Sequence, residues 1–406
     1  MNSNKPKVLI WDLGINLKNS GGPAGYLYNW KEYLSNHHNY DNIFFIKDII
    51  GIENQSETLH QKYKKWLDVI YKIDFLNLWT RVNLIRKYRR LLKPIDGNSL
   101  KGIDLNEFDI IHFHVSFHLY NALNLLKGYK GRVLLTSHSP EPLARECVAS
   151  LHGKSIIKEY LYHQYEKAEL KAWDMADYMM FPVREAIEPY LESLKYADFL
   201  QKNKDKLRYC PTSILQKTVL PNRTLLFKKL GIPQNAFVIT YIGRHTEIKG
   251  YNELIKLGNK VLPLLENVYF VIGGNCLPNQ GLSHPRWIEL GWIDYGSELI
   301  ASSDLFILPN KQTYFDIVAL EVLRSGTPIM MSLTGGNKYF TRLKQNKGIM
   351  FYEYGDITSQ IDLIKKLLQK TPKEVDTMRQ HNMQLFKNQF SMESFLERYE
   401  LLIESL

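Results

Sequence analysis

The sequence has only three cysteines, and they form no recognisable pattern. Cys147, Cys210 and Cys276 are odd in number, far apart and outside any CxxC spacing. This arrangement argues against both a disulfide framework and a zinc site. We therefore expect three free thiols, most of them buried.

Long hydrophobic runs are absent as well. The apolar stretch at residues 8–11 ends at Asp12, which is too early for the core of a signal peptide. No other run approaches the ~20 apolar residues that a membrane-spanning helix needs. The sequence also lacks internal repeats and low-complexity tracts. We expect a cytoplasmic protein made of ordinary globular domains.

Acidic residues are too few to balance the basic ones, and the imbalance lies mostly in one segment. The net charge is +10, and residues 61–93 hold ten Lys or Arg against Asp68 and Asp74. Aromatic and aliphatic residues recur in this segment at roughly helical spacing. The pattern predicts either a helix lying on an anionic membrane surface or a helical insertion whose aromatic face packs on its own domain. We expect no nucleic-acid partner.

Short apolar runs alternate with amphipathic helical patterns in both halves of the chain. The first half contains KVLIWDL, NIFFIKD, DIIHFHV, RVLLTSH and ADYMMFPV, and the second contains AFVITYIGR, NVYFVIGGN, WIELGWI, DLFILPN, TPIMMSL and GIMFYEY. Continuous apolar strands separated by helices are typical of a parallel sheet buried on both faces. The predicted fold class is α/β, with two doubly wound Rossmann-like domains facing each other across a cleft.

A linker-like stretch separates the two series of strands. Residues 215–236 are rich in polar side chains and contain two prolines. We place one domain at 1–215 and a second at 216–385. Residues 386–406 are expected to form a helix that packs back toward the first domain.

Ligands of doubly wound sheets bind beyond the carboxyl ends of the strands, so the loops there are informative. The loop after the first strand contains Gly21 and Gly22, just before a helix that begins near Pro23. Glycine lets a ligand approach the backbone closely, and a helix N-terminus attracts phosphate. A plain tight turn is the alternative interpretation.

Histidines are concentrated in the first half. The fourth strand ends at His138, in a polar cluster that could hydrogen-bond a sugar hydroxyl or a phosphate oxygen. His112, His114 and His118 are close in sequence, and the first two share one face of a strand. No nearby carboxylate or cysteine completes a coordination set, so we prefer domain packing or cleft lining to metal binding.

In the second half, two cations flank a strand-to-helix loop. The strand AFVITYIGR ends at Arg244, and a helix begins around Lys249 and Gly250. Arg244 could hold a diphosphate oxygen through its planar guanidinium, and Lys249 would add a point charge at the helix entrance. Together they would stabilise the charge on a departing nucleotide diphosphate. Two solvated surface cations are the alternative.

The stretch TYFDIVALEVLRSGTPIMMS follows another strand and carries a second set of candidates. Thr313 and Asp316 lie in a loop that enters a helix, so the backbone N–H groups of Asp316, Ile317 and Val318 would face a phosphate. Glu321, one turn further in, is placed to accept hydrogen bonds from two ribose hydroxyls. An acid in an otherwise apolar helix needs such a partner, unless it is purely structural.

These features together resemble glycosyltransferase family 4, the retaining two-domain group with the GT-B fold. The resemblance covers essentially the whole chain and rests on the Gly21-Gly22 loop, His138 and the segments EKAELKAWDMADYMMFPVREAIEPY, GRHTEIKGY and LEVLRSGTPI. It implies transfer of a sugar from a nucleotide diphosphate of the UDP, GDP or dTDP type to a glycan or lipid-linked acceptor. The resemblance also implies retention at the anomeric carbon and no metal or other cofactor.

The resemblance assigns a role to each domain. It makes the N-terminal domain the acceptor side and the C-terminal domain the nucleotide-sugar-binding one. It places Arg244 and Lys249 on the diphosphate, Glu321 on the ribose, and the loop at Trp292 and Ile293 against the base. It also implies front-face attack, in which the leaving phosphate helps to remove the acceptor proton.

The transferred sugar is where this sequence departs from the family. The resemblance places His138 close to that sugar. The family's paired-glutamate motif has its first glutamate eight residues before Glu321, where this chain has Thr313, and a glycine where it has Asp316. That loop contacts sugar hydroxyls in the family. The substitutions are therefore expected either to alter sugar choice, with Asp316 supplying the missing carboxylate, or to weaken activity.

Two functions from different classes follow. The first is an active transferase of cell-surface polysaccharide or glycolipid synthesis, cytoplasmic and peripheral on the inner face of the plasma membrane through residues 61–93. The second is a non-catalytic partner subunit that binds glycan or stabilises an active transferase. Retention of Arg244, Lys249 and Glu321 favours the first. A sugar-nucleotide epimerase or glycogen-type phosphorylase is disfavoured, because no pyridoxal-phosphate lysine motif is recognisable.

Overall fold

The computed structural model describes residues 5–18, 22–37, 39–51, 85–86, 88–100, 102–149, 156–275 and 279–406. The chain divides into two compact units. Unit 1 comprises Met1–Phe181, Tyr190–Arg208 and Glu400–Leu406, and unit 2 comprises Pro182–Pro189 and Tyr209–Tyr399. Each unit has its own parallel sheet.

Unit 1 alternates strands with helices. Its elements are β1 (Val8–Trp11), α1 (Gly22–Ser35), β2 (Ile43–Phe45), α2 (Ile46–Ile50), β3 (Ile110–Phe113), α3 (Ser116–Ala122), β4 (Arg132–Thr136), α4 (Leu143–Ala149), α5 (Ile156–Met175), β5 (Tyr178–Phe181), α6 (Leu194–Lys202) and β6 (Leu207–Tyr209). Short 3₁₀ helices occupy Gly97–Leu100, Leu105–Glu107, Arg184–Glu192, Lys204–Lys206 and, in unit 2, Gly335–Arg342.

The sheet of unit 1 has the order β2-β1-β3-β4-β5-β6. β1 pairs in parallel with β2 and β3, and β4 pairs in parallel with β3 and β5. All residues of β1 and β3 are buried, so both faces of these strands are covered. The order reverses between β1 and β3, and the loops after these strands therefore lie at a switch point, where such sheets bind ligands.

Unit 2 repeats the pattern with a different strand order. Its elements are α7 (Arg223–Leu230), β7 (Phe237–Ile242), α8 (Tyr251–Leu264), β8 (Val268–Gly273), β9 (Trp287–Gly291), α9 (Gly296–Ser302), β10 (Leu305–Leu308), α10 (Ile317–Ser325), β11 (Ile329–Ser332), β12 (Ile349–Tyr352), α11 (Ile357–Leu368), α12 (Pro372–Gln389) and α13 (Met392–Glu404), whose end from Glu400 belongs to unit 1.

The sheet of unit 2 has the order β12-β11-β10-β7-β8-β9, with all neighbours parallel. This is the order of dinucleotide-binding doubly wound sheets, and its switch point lies between β7 and β10. Adjacent residues of β7 enter different core clusters, Ile239 on one face and Val238 on the other. Burial on both faces explains why β7 is continuously apolar.

The predicted α/β class with two doubly wound domains is confirmed. The eleven predicted strands correspond to β1–β5 and β7–β12. β6 is not among them, because its three residues are partly exposed and include Arg208, so no apolar run marks it. Cys147 and Cys210 are free thiols as predicted, and Cys276 lies outside the described residues. No described helix is long and apolar enough to cross a membrane.

The domain boundaries differ from the predicted ones, which fall after residues 215 and 385. The longer segment of unit 2 begins at Tyr209 and includes α13 as far as Tyr399. The boundaries differ because the chain around Ile214 pairs with the start of α13. Ile214 forms a parallel bridge with Ser391, and Arg398 Nη2 lies 3.4 Å from the carbonyl oxygen of Pro211. The predicted C-terminal helix is present as α13.

Candidate functional site

The carboxyl ends of β7 and β10 lie side by side at the switch point of unit 2. Arg244 follows β7, and Pro309 and Asn310 follow β10. Gly250, just before α8, has a φ of +72°, and a Cβ there would lie 1.5 Å from the carbonyl oxygen of Pro309. Only glycine fits this approach, so the loop from Arg244 to Gly250 is held against the end of β10.

Lys249 and Asp316 form an ion pair at this edge. Lys249 Nζ contacts Oδ1 of Asp316, and Nδ2 of Asn310 donates to Oδ2 of the same carboxylate at 2.5 Å. The Lys249 and Asp316 side chains are 22% and 14% exposed. The structure therefore joins two predicted ligand residues in one partly buried pair.

Glu321 is the unpaired acid of this edge. Asp316 is the N-cap of α10, and the N–H groups of Ile317 and Val318 in its first turn have no partner within the helix. Glu321 is half-buried, and its carboxylate has no hydrogen-bond partner among the described residues. Burial raises its pKa, and the cation of Arg324 opposes this. Such a group is suited to accept hydrogen bonds from ligand hydroxyls.

Arg244 is exposed, and its guanidinium has no partner in the described part of the chain. Its backbone is fixed, because the buried Tyr241 donates a hydrogen bond from its hydroxyl to the Arg244 carbonyl at 2.8 Å. A held backbone with an unpaired planar cation is suited to binding an anion such as phosphate.

The remaining predicted residues of unit 2 differ in exposure. Trp292 is 84% exposed, whereas Ile293 is half-buried against the end of β8, within 3.0 Å of where a Cβ at Gly273 would lie. Thr313 is fully buried, and its hydroxyl has no partner among the residues described. Its carbonyl accepts the N–H of Gly336 at 3.1 Å. Trp292 therefore offers an open indole face, while Thr313 offers no exposed group.

The loop after β1 carries the predicted glycines of unit 1. Gly22 is the first residue of α1 and has a φ of +76°, a conformation that favours glycine; Gly21 lies outside the described residues. Asp12 directly follows β1, is fully buried, and accepts the backbone N–H of Lys47 at 3.1 Å. Burial raises the pKa of Asp12. Lys47 in turn donates from Nζ to the carbonyl of Ile15, so these contacts tie α2 to the end of β1.

Four histidines lie at or just beyond the carboxyl ends of β3 and β4. His114 Nδ1 and His138 Nε2 are 3.0 Å apart, and His112 Nε2 is 2.7 Å from the hydroxyl of Thr136. The rings of His112 and His114 lie 4.1 Å apart. His118 completes the group from α3, and its Nδ1 is buried without a partner among the described residues.

Burial lowers the pKa of all four histidines. The pKa of His118 falls to about 4 and that of His138 to about 3, while those of His112 and His114 lie well below the usual value. The cluster is therefore uncharged at neutral pH. Within the described ranges no group of three or more His, Cys, Asp or Glu could hold a metal ion. Absence of a metal cofactor stays a prediction.

Most of the basic segment 61–93 lies outside the described residues. At its described end, the ring of Tyr88 packs 5.5 Å from that of Tyr165 at a tilt of 59°, and Leu91 and Leu92 pack on the core cluster around Phe117. The cations at 86, 89, 90 and 93 are exposed. This end therefore packs on its own unit while presenting positive charge to solvent.

Part of unit 2 is similar to a known protein family. Residues 222–383 match the family model described as Glycosyl transferases group 1. The matched range lies within unit 2. It includes Arg244, Lys249, Asp316 and Glu321.

Two relatives show how far the similarity extends. The D-inositol 3-phosphate glycosyltransferase of Stackebrandtia nassauensis is 26% identical over 163 residues, which are 34% of this chain and 36% of the relative. A 41.2 kDa protein of the cps region of Klebsiella pneumoniae is 24% identical over 241 residues, covering 57% of this chain and 62% of the relative. The chain spans about a third of the length of the first curated relatives it matches.

A solved structure matches the chain outside residues 222–383 as well. Anabaena HepE in complex with UDP has a TM-score of 0.59 and 13% identity, covering 98% of this chain and 100% of that one. At this identity the likeness shows the fold alone. It is the two-domain α/β fold of GT-B glycosyltransferases, as the sequence predicts.

Two contacts of these edges are absent from the sequence prediction. Asn310, which donates a hydrogen bond to Asp316, lies two residues after β10 at the switch point. A polar residue in the segment LPN is the signal that would reveal it. His114 contacts His138, although the sequence suggested only packing or cleft lining for it. Its position at the end of β3, two residues after His112, is the corresponding signal.

Proposed function

We propose that this protein is a glycosyltransferase that moves a sugar from a nucleotide diphosphate to a glycan or lipid-linked acceptor. The observation that carries the proposal is Glu321, a half-buried acid without a partner in the described structure. It lies on the helix that begins at the edge where Arg244 and Lys249 supply positive charge. The relative named as a glycosyltransferase and the UDP complex of HepE support this chemistry.

In the proposed site, each group of unit 2 binds a different part of the nucleotide. Glu321 accepts hydrogen bonds from the two ribose hydroxyls. Arg244 and Lys249, with the free N–H groups at the start of α10, hold the diphosphate. The base lies on the exposed indole of Trp292, beside Ile293. A base of the UDP type is favoured by the HepE complex, with GDP and dTDP as alternatives.

We propose transfer with retention and without a metal ion. The bond between the anomeric carbon and the phosphate oxygen breaks, and the acceptor oxygen bonds to the same face of that carbon. The acceptor proton passes to the leaving phosphate. Arg244 and Lys249 would supply the positive charge that the leaving diphosphate needs. Asp316 is the available carboxylate for a hydroxyl of the transferred sugar, and the assignment of His138 to that sugar stays a prediction.

We place the activity in cell-surface polysaccharide or glycolipid synthesis, with the enzyme cytoplasmic and peripheral at the inner membrane face. The exposed cations at the described end of segment 61–93 support contact with anionic lipid. The relative from a cps region supports the same setting. A flotation assay with vesicles of phosphatidylglycerol and phosphatidylcholine tests the membrane contact, and no binding to the anionic vesicles would contradict it.

One observation favours the second candidate, a non-catalytic partner subunit. Lys249 is already paired with Asp316, and the hydroxyl of Thr313 is buried, so two groups of the proposed nucleotide site are not open. A partner that only binds glycan or stabilises another transferase would need neither. This candidate requires that no nucleotide diphosphate binds.

A ligand screen separates the two candidates. The unfolding temperature of the purified protein is measured in the presence of EDTA with UDP, GDP, dTDP or ADP and with their common sugar conjugates. The binding of each stabilising ligand is then measured by calorimetry. A ligand at 100 times its dissociation constant stabilises the fold by about 2.7 kcal/mol. Selective stabilisation by one diphosphate supports the transferase and identifies its base. No response to any nucleotide favours the partner subunit.

A further inference from the structure

The residue directly after Arg244 is a buried histidine to which the proposed function gives no role. The His245 side chain is fully buried, and both of its ring nitrogens lack a hydrogen-bond partner among the described residues. Unpaired polar atoms in a buried place cost free energy that an apolar ring of similar shape would avoid. Packing alone therefore does not account for an imidazole at this position.

Two neighbours fix the position of the His245 ring. It stacks on the ring of Tyr251, the first residue of α8, with the centroids 3.8 Å apart and the planes at 9°. Its Nε2 lies 3.7 Å from Oε2 of Glu289 in β9, which is too long for a hydrogen bond. Burial lowers the pKa of His245, although the Glu289 carboxylate and the backbone of Asn279 favour its cation. The contact at neutral pH is therefore an electrostatic one between a neutral imidazole and a carboxylate.

The carboxylate of Glu289 has one oxygen occupied and one open. Oε1 accepts hydrogen bonds from the hydroxyl of Tyr251 and, at 2.7 Å, from Nε1 of Trp287. A Cβ at Gly281 would lie 1.9 Å from Oε1, so the backbone packs closely against this oxygen. Oε2 is buried and has no hydrogen-bond partner in the described part of the chain. Oε2 and the imidazole of His245 are therefore open polar groups that face each other.

The backbone between Arg244 and His245 is held on both sides. The N–H of His245 donates to the carbonyl of Asn275 at 3.3 Å. The carbonyl of Arg244 accepts the N–H of Thr246 and the hydroxyl of Tyr241, each at 2.8 Å. The Arg244 side chain extends from this backbone, so a shift of the His245 ring would move the guanidinium with it.

We infer that His245 is a positioning residue for Arg244, and that the contact of its Nε2 with Glu289 holds the Arg244 guanidinium where it binds phosphate. The phosphate part of this inference rests on the proposed function. His245 is fully buried, so it acts through Arg244 and not on a ligand. The imidazole should therefore cost folding stability and strengthen anion binding, a combination that a residue of the core would not show.

The anchoring role can be tested without any ligand. His245→Phe keeps a ring that stacks on Tyr251 and removes the nitrogen that faces Glu289. Its unfolding temperature should be no lower than that of the wild type, because an unpaired buried polar group is removed. Hydrogen exchange in peptides covering residues 243–251 should nevertheless be faster, with peptides of β10 unchanged. Unchanged exchange in residues 243–251 would overturn the anchoring role.

A second variant separates the nitrogen from the ring. His245→Gln keeps an amide nitrogen that can face Glu289 but cannot stack on Tyr251. Exchange of residues 243–251 should stay closer to the wild type in His245→Gln than in His245→Phe. The opposite order would show that stacking holds the loop, and it would overturn the inference. His284→Phe is the matched control, because His284 contacts the backbone of Arg286 outside this loop; it should leave these rates unchanged.

Binding then tests the link to Arg244. The dissociation constants of inorganic pyrophosphate, UDP, GDP and dTDP are measured by calorimetry. For each probe that binds the wild type, His245→Phe should raise the dissociation constant about three- to tenfold, the usual cost of immobilising one flexible side chain. In the Arg244→Ala background, the same substitution should change the dissociation constant by less than about twofold, because the side chain that it positions is absent.

Equal effects of His245→Phe in both backgrounds would overturn the inference, because the effect would not pass through Arg244. Wild-type affinity in a folded His245→Phe protein would overturn it as well. If no probe binds the wild type, the proposed function and the phosphate part of the inference both fail. The exchange rates of residues 243–251 then decide by themselves whether His245 anchors the loop.

Discussion

The switch points of the two sheets have the same architecture and opposite chemistry. At the edge of unit 1, the buried imidazole of His114 after β3 pairs with the half-buried imidazole of His138 after β4, and neither carries a charge at neutral pH. At the edge of unit 2, Arg244 is exposed and charged, and Lys249 is paired with Asp316. Both edges lie beyond parallel strands at a reversal of strand order.

Burial accounts for this difference. Removing an imidazole from water disfavours its cation, so a closed cluster of histidines becomes a set of neutral hydrogen-bonding groups. An exposed guanidinium keeps its charge whatever its neighbours. The neutral edge is suited to the uncharged oxygens of a sugar, and the charged edge to phosphate. One scaffold thus offers two kinds of recognition.

Acidification should produce the largest effect, and it should act on unit 1. The pKa values of His118 and His138 are about 4 and about 3 in the folded protein, against 6.5 for an unperturbed histidine. Below pH 6.5 these histidines bind protons in the unfolded chain, whereas they stay neutral in the folded protein. Each group therefore lowers the free energy of unfolding by up to about 1.4 kcal/mol per pH unit, until the pH reaches its folded pKa.

Three acids in the described part of unit 1 oppose this trend, because burial raises the pKa of Asp12, Glu141 and Glu169. The pKa of Glu169 rises to about 7, so the stability it contributes is lost as pH rises through 7 and regained on acidification. We expect the four histidines to outweigh these acids. Hydrogen exchange is measured at pH 7.5 and pH 5 and corrected for intrinsic rates. Peptides of unit 1 should lose protection at pH 5.

His118→Leu should reduce this loss of protection. Equal losses in both units would contradict the difference between the two edges.

Removing the exposed cation of unit 2 should have the next largest effect. Arg244→Ala should lower the turnover of the nucleotide sugar by about 10²- to 10³-fold, the usual cost of deleting one group that stabilises developing charge. Folding stability should not change, because the guanidinium has no partner among the described residues. Release of nucleotide diphosphate measures the turnover. Arg244→Lys keeps the charge and should lose less; turnover within twofold of wild type for Arg244→Ala would refute its role.

Loss of the unpaired acid should weaken binding of the nucleotide. Glu321→Ala should raise the dissociation constant of the diphosphate by about 10- to 100-fold, because it removes hydrogen bonds to a charged group. The wild type should discriminate against the 2′-deoxy nucleotide, and the variant should not. Calorimetry with both nucleotides measures this, with Glu321→Gln as the isosteric control. Discrimination that persists in Glu321→Ala would show that another group binds the ribose.

Breaking the ion pair between Lys249 and Asp316 should have the smallest effect, and it should strengthen ligand binding. Asp316→Asn frees the charge of Lys249, so the diphosphate should bind about three- to tenfold more tightly, in keeping with a partly exposed pair. Transfer should slow if Asp316 also binds the sugar. Glu247→Gln removes an exposed acid paired with Lys311 nearby and serves as the matched control. Weaker diphosphate binding by Asp316→Asn alone would show that the pair supports the site.

Local sequence pattern determined the strands and the loops of this protein. Eleven strands were readable because a strand covered on both faces must be apolar throughout, and this signal lies within a few consecutive residues. β6 lacked the signal because it is short and partly exposed. The positions of Arg244 and Lys249 were readable because Arg244 follows a strand and Lys249 precedes a helix, and Glu321 stands out as an acid within an otherwise apolar helix.

Only the tertiary structure decided which side chains meet. Lys249 and Asp316 are far apart in sequence, and they pair because β7 and β10 are neighbours in the sheet. His114 meets His138 because β3 lies beside β4. Strand order is a property of the whole chain, and no local run of residues encodes it. Burial, which sets the charge of each histidine and leaves Arg244 exposed, follows from the same packing.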